Sequence, residues 1–356
     1  MSLIRRPRRP GRAVMVLAIV ALFSATGRLL WANGLFSSMT PGYGGACKSV
    51  ATLAGVQDME AANGTVFVSV AGKAPSAADG IYALPVTGGV PAKLVGAPKD
   101  FHPRGIGLFH TPDGKGLFLF AVNHHAGASA RAGATKDEGR FSIDSFEVTD
   151  PATAPKLVAQ GTVEGGLMIN PQDVAAVSPT AFYVANGTAS KYAPIHWLQT
   201  YGVISGGDVL FFNGTSFREA IDGLYGTRSI LVAGDRVIVG GLLSHSLSSF
   251  AREDLTGNLT DEQDINLPAG PEKLSRDQVG DIWAAGHANL FDLRSAGPGK
   301  PATSQVFHVG LADKLVQQVY GNSGAEISGA SVALPVGSRL LIGSPIDGKL
   351  LDCGTK

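Results

Sequence analysis

The chain carries no Gly-x-Ser-x-Gly, no Walker phosphate loop, no His-Glu-x-x-His and no Cys-x-x-Cys. A serine hydrolase of the usual type and a structural zinc site are therefore disfavoured. Charge is scarce, at 16% of residues against 44% hydrophobic, which is ample for a core. Acidic residues are missing from the first 33 positions, where six of the 29 basic residues lie. The remainder holds 23 basic against 29 acidic residues, a net of −6, so it has no reason to seek nucleic acid. Only two cysteines are present, Cys47 and Cys353. In an exported chain such a pair reads most simply as a disulfide, with two free buried thiols as the alternative.

Glycine and proline are abundant instead, at 47 and 20 residues, as suits short strands and tight turns. Phe101 to Ala126 shows the unit. A short apolar run, Ile106 to Phe109, leads into the turn Thr111-Pro-Asp-Gly-Lys-Gly116, and the strand-length run Leu117 to Val122 follows. Similar apolar runs begin at 66, 117, 182, 237, 282 and 340, spaced by 45 to 65 residues. Six strand-rich units at that period predict an all-β fold, a six-bladed propeller with about four strands per blade. Six coincidental strands in two sandwiches are the alternative. Two segments depart from the rhythm. One is a small-residue loop, Gly127 to Gly139. The other is Lys191 to Tyr201, rich in aromatics, which reads as a lid, a surface contact or a packed loop.

The start reads as a separate module, residues 1–36, ahead of a propeller over 37–356. Arg5, Arg6, Arg8, Arg9 and Arg12 precede an apolar run from Ala13 to Phe23, the layout of an export signal. Ala25-Thr-Gly27 offers a cleavage site. Without cleavage the segment to Phe36 would act as a membrane anchor interrupted by Arg28, although the clean apolar run is shorter than a span requires.

About nine residues before each apolar run stand polar groups: Gln57-Asp58, Arg104-Gly-Ile106, Gln172-Asp173, Arg228-Ser229, Glu272-Lys273 and Ser328 to Ser331. In a propeller the innermost strands line the channel, so these groups would converge from different blades. Oxygen-rich convergence suits a hard cation such as calcium, and ordinary strand-end polarity is the plainer reading.

Several fragments bear on this choice. Phe101-His-Pro-Arg-Gly-Ile106 resembles Phe-Asn-Pro-His-Gly-Ile of the paraoxonase/arylesterase family. Val122-Asn-His124, Asn170 to Val177, Leu242-Leu-Ser-His245, Gly280-Asp-Ile-Trp283 with Gly286-His287, and Gly329 to Cys353 resemble further segments of it in the same order. The resemblance implies a six-bladed propeller with two channel calcium ions and a Cys47–Cys353 disulfide. It implies an exported hydrolase acting on a small ester or lactone, whose carbonyl the ion polarises.

Residue by residue, the resemblance puts Asp58, Asp173 and the Ile106 carbonyl on the structural calcium. Its removal is then expected to lower the melting temperature. At the catalytic ion, the family's glutamate and an asparagine become Gln57 and Gln172, another asparagine falls near Gly226, and an Asp-Asn pair falls on Pro271-Glu272. The base histidine becomes Arg104, which cannot act as a base near neutral pH. His124 survives from the histidine dyad, and His124 or His287 is expected to handle the proton. Two functions follow: a calcium-dependent arylesterase or lactonase, or a propeller that kept its structural ion, lost hydrolysis, and binds an anionic ligand or a partner at the channel mouth. In the second, Arg104 is expected to pair with Glu272 and fill the space of the catalytic ion.

Overall fold

A computed structural model describes residues 10–125, 140–254, 256–297 and 299–354; the Gly127 to Gly139 loop lies outside them. Six small antiparallel sheets follow one another around a ring. Their inner strands are Val56–Ala62, Pro103–His110, Pro171–Ala176, Thr227–Ala233, Gly270–Arg276 and Val332–Val336, each packed against the next and the last against the first. The six apolar runs are the second strands of the six blades. They are buried because each blade is covered on both faces by its neighbours. Phe67 and Ile81 of the first blade pack on Leu119 and Phe146 of the second. Phe120 and Val122 of the second pack on Phe182 and Leu210 of the third.

The ring is closed by the two ends of the chain. Ala46–Thr52 forms the outer strand of the sixth blade and pairs with Lys349–Gly354, with Cys47 directly opposite Cys353. The two cysteines are joined, with Cα atoms 4.0 Å apart and a sequence separation of 306. Closure ties the first strand to the last, while the outer strand of each blade, such as Lys156–Val163, remains an edge.

Five of the six inner strands share a device. Their register slips by a residue or more near the start, between Val56 and Asp58, Pro103 and Ile106, Pro171 and Asp173, Thr227 and Ser229, and Pro271 and Leu274. A bulge sets two residues against one and re-aims side chains. Repeated at one level of the ring, it turns the polar group of each unit toward the axis.

The N-terminal helix, Pro10–Ala32, has 23 residues. At 1.5 Å per residue that is about 35 Å, enough to cross a bilayer core. Its apolar window, Ala13–Ala32, counts 20 residues with a mean hydropathy of 2.1. The apolar segment is thus longer than the sequence reading allowed, because Arg28 does not interrupt it. The helix carries Arg28 onto the propeller, where Nε donates to the Gly202 carbonyl at 3.0 Å and Nη2 to that of Leu243 at 3.1 Å. The guanidinium lies against the rings of Trp31 and Tyr225. Ala32 and Asn33 are fully buried, and Asn33 donates to the Tyr201 carbonyl at 2.9 Å. Residues 13–24, by contrast, are exposed throughout.

Candidate functional site

The bulged strand starts place one connected polar network at the mouth of the channel. Arg104 Nη1 donates to Asn170 Oδ1 at 3.2 Å and lies near the Pro171 carbonyl at 3.4 Å. Gln172 Nε2 donates to the same Asn170 oxygen at 2.6 Å. Gln172 Oε1 accepts from Arg228 Nη1 at 2.5 Å. Arg228 Nε stands 3.2 Å from Glu272 Oε2, as a charge contact without the alignment of a hydrogen bond. Glu272 Oε1 is 3.9 Å from His287 Nε2, too far for a hydrogen bond. The expected Arg104–Glu272 pair is therefore an Arg228–Glu272 pair, since the Arg228 strand lies beside that of Glu272 and Arg104 comes from two blades further back. Gln57 turns away and donates to the Ala71 carbonyl at 2.8 Å.

Arg228 faces the Glu272 carboxylate, and Arg104 lies within electrostatic reach of Arg228. Burial, then the neighbouring Arg228, lowers Arg104 to about 10, so it stays charged at neutral pH. Its cation lies 5.0 Å from the centre of the Phe141 ring. His124 stacks on the same ring. Burial, then Arg104, His102 and His125, push His124 down to about 4. Burial lowers His287 as well, opposed by Glu272. Both imidazoles are thus neutral at pH 7.

A pH dependence results. The unfolded chain protonates His124 near 6.5, whereas the folded chain holds it neutral down to about 4. Acid then favours the unfolded state, and this group's contribution to stability is lost as pH falls from about 6.5 to about 4. Urea midpoints across that range are expected to decline less steeply in His124→Gln than in the parent, and an unchanged slope would contradict the assignment.

Deeper in the channel Asp58 and Asp173 do converge. Asp58 accepts from the Met59 and Ile106 amides, each at 2.9 Å. It is the N–H of Ile106 that meets this carboxylate. Asp173 accepts from Val174 at 3.0 Å and Ile230 at 3.1 Å. Between them lies the ammonium of Lys273, 3.3 Å from Asp173 Oδ1 and 3.9 Å from Asp58 Oδ2. Burial, then Asp173, raises Asp58 to about 8, against the opposing pull of Lys273. Burial raises Asp173 too.

Neither channel position fits calcium as the residues stand. The deep one contains an ammonium, and the mouth contains two guanidiniums that would repel a cation. Arg228 and Lys273 stood in the polar ring of the sequence without a role. The signal that could have found them was charge: two basic residues, in a ring otherwise suited to a cation, supply the cations themselves.

Two other constellations are weaker. Asp100 Oδ2, His125 and Ser142 Oγ line up at 2.8 and 2.9 Å, the order of an acyl-transfer triad. Ser142 is fully buried and its hydroxyl donates to Asp144 at 3.0 Å, so no carbonyl can reach it. Asp277, Asp281 and His308 have candidate ligand atoms within 4.8 Å of one another and could hold a metal. They lie beyond the opposite end of the inner strand, and Asp277 already accepts from Trp283 and from amides of its own turn. A cavity of about 880 Å³ also opens at that opposite mouth, lined by Glu60, His110, Val174, Arg276 and Pro335 among others. The row of hydrogen bonds from Arg104 to Arg228 lies at the other mouth, and the chemistry is argued there.

Residues 81–354 match the Arylesterase family model. The chain belongs to the arylesterase family. Over 251 residues it is 26% identical to serum paraoxonase/arylesterase 2 of Gallus gallus and 27% identical to that of Homo sapiens. Each match covers 69% of this chain and 66% of the relative's length. Serum paraoxonase/lactonase 3 of Homo sapiens is 24% identical over 268 residues, covering 74% of this chain and 70% of that protein. Among solved structures, a luciferin-regenerating enzyme superposes with a TM-score of 0.54 at 9% identity, covering 87% of this chain and 95% of its own. That likeness concerns the fold alone. At this identity, and over 66% of the relatives' length, the chain's chemistry has to be argued from its own residues.

Proposed function

We propose that the protein is an exported, membrane-held arylesterase-family hydrolase for a small ester or lactone. In this reading Arg228 and Arg104 meet the carbonyl or carboxylate oxygen, and calcium does not. The observation that carries it is the connected row from Arg104 through Asn170 and Gln172 to Arg228, with the carboxylate of Glu272 beside Arg228. A guanidinium presents a planar fork that suits a carboxylate, and fixed donors in a water-poor site stabilise a developing oxyanion. Neutral His287 or His124 would accept the proton of the attacking water. Glu272, 3.9 Å from His287, would favour the resulting imidazolium. A second reading, binding without turnover, is favoured by Arg104, which cannot take a proton from the place where the family resemblance implies a base.

One experiment separates the two: hydrolysis of phenyl acetate and a γ-lactone in excess EGTA, with phenylacetate binding by calorimetry alongside. Activity is expected to be insensitive to chelator and to fall roughly 100-fold in Arg228→Gln. Phenylacetate binding without turnover would favour the second reading. Activity abolished by EGTA and restored by calcium would contradict both.

The N-terminal helix supports the localisation. Just past its docked end Leu35 and Phe36 are exposed, as are Tyr192, Ile195 and Trp197 of the insertion, and aromatic side chains favour membrane interfaces. The helix Ala193–Thr200 of that insertion runs up to Tyr201 and Gly202, whose carbonyls Asn33 and Arg28 meet. Removing residues 1–24 is expected to move the protein from the membrane to the soluble fraction. Its melting temperature should not change, because the contacts of Arg28 and Asn33 remain. A truncated protein still in the membrane fraction would contradict the anchor.

A further inference from the structure

We propose that Lys273 is a built-in substitute for the ion that the family resemblance places between Asp58 and Asp173, so that the centre of this propeller is held by the chain's own ammonium. The inference is independent of what the channel mouth binds.

An ammonium has three donors and no acceptor. Lys273 Nζ stands 2.6 Å from the Gln172 carbonyl, 3.3 Å from Asp173 Oδ1 and 3.5 Å from the Arg228 carbonyl. Asp58 Oδ2 completes the surroundings at 3.9 Å. These groups belong to the first, third and fourth blades, and Lys273 itself to the fifth. A single positive centre thus gathers inner strands from four blades, as a central cation would.

The carboxylates are shaped to that role. Each of their four oxygens already accepts one backbone amide. Asp58 reaches across to Ile106 of the second blade, and Asp173 to Ile230 of the fourth. Calcium gathers six to eight oxygens at about 2.3–2.6 Å, and it cannot share this space with the lysine nitrogen. The space is closed as well as filled. A Cβ added to Gly105 would lie 2.5 Å from Lys273 Nζ and 2.2 Å from Asp173 Oδ1. Lys273 is itself 7% exposed, so its charge is stranded unless the aspartates answer it.

The test is thermal unfolding of three full-length proteins, each in excess EGTA and in millimolar calcium. The unsubstituted protein is expected to melt at the same temperature in both. Lys273→Ser empties the space between two carboxylates. It should melt roughly 5 °C or more lower in EGTA and recover in calcium. Lys273→Met removes the charge but fills the space, so it should be destabilised and gain nothing from calcium. Should Lys273→Ser fold only when calcium is supplied, that dependence is itself the predicted rescue. The proposal is overturned if the unsubstituted protein melts lower in EGTA and recovers in calcium, or if calcium rescues Lys273→Met as well as Lys273→Ser.

Discussion

Replacing both Cys47 and Cys353 by serine is expected to cost about 5 kcal/mol of stability, the largest loss anticipated for any surface-neutral change in this chain. The bridge spans 306 residues of sequence and joins the outer strand of the last blade to its neighbour. In the chain-entropy model a loop of that length restricts the unfolded ensemble strongly, and the cost grows only with the logarithm of length. For a domain of this size such a loss lowers the melting temperature by roughly 5–10 °C. The strands Ala46–Thr52 and Lys349–Gly354 would still pair through their backbones, so the double variant should fold, with the sixth blade opening first. Hydrogen exchange in those two strands is the fitting measurement. Protection should fall there ahead of the other blades, and a uniform loss around the ring would contradict the assigned role of the bridge.

The second large effect concerns the mouth. Gln57→Glu, Gln172→Asn and Arg104→His together restore the residue types that the family resemblance implies around a catalytic ion. They leave Arg228 where it is, its guanidinium beside Glu272. A cation arriving there meets a positive charge with nowhere else to go, so the triple variant should gain no calcium-dependent hydrolysis. Adding Arg228→Asn removes the charge and supplies an amide oxygen. The fourfold variant should then hydrolyse phenyl acetate in calcium roughly 100-fold faster than the triple variant, in line with a Lewis acid worth several kcal/mol. Equal activity in the two would show that Arg228 is not what excludes the ion.

The ring was legible because propeller blades repeat a local pattern. Each buried second strand shows as an unbroken apolar run, and each inner strand starts with polar groups a fixed distance before it. The Cys47–Cys353 closure was legible because only one pairing was available. The site was legible in part. Asp58 and Asp173 announced a buried positive partner, since like charges do not converge alone. The identity of that partner depended on a bulge between Pro271 and Leu274, and a bulge leaves no reliable mark in sequence. One residue of register decides whether Lys273 enters the channel. The Arg104–Glu272 pair was misplaced for a related reason: which arginine reaches Glu272 depends on the order of blades around the ring, whereas the sequence reading compared the two segments directly. Arg28 shows the same limit from the other side. It reads as a break in an apolar run, and only its docking on the Gly202 and Leu243 carbonyls shows that the helix continues.

The central claim is that Lys273 and Arg228 stand where the family's ions would. It is tested most directly by a calcium-binding isotherm of the unsubstituted protein, repeated on Asp173→Asn at the same ionic strength. The account predicts no calcium binding that depends on Asp173. Tight binding in the unsubstituted protein that disappears in Asp173→Asn would contradict it.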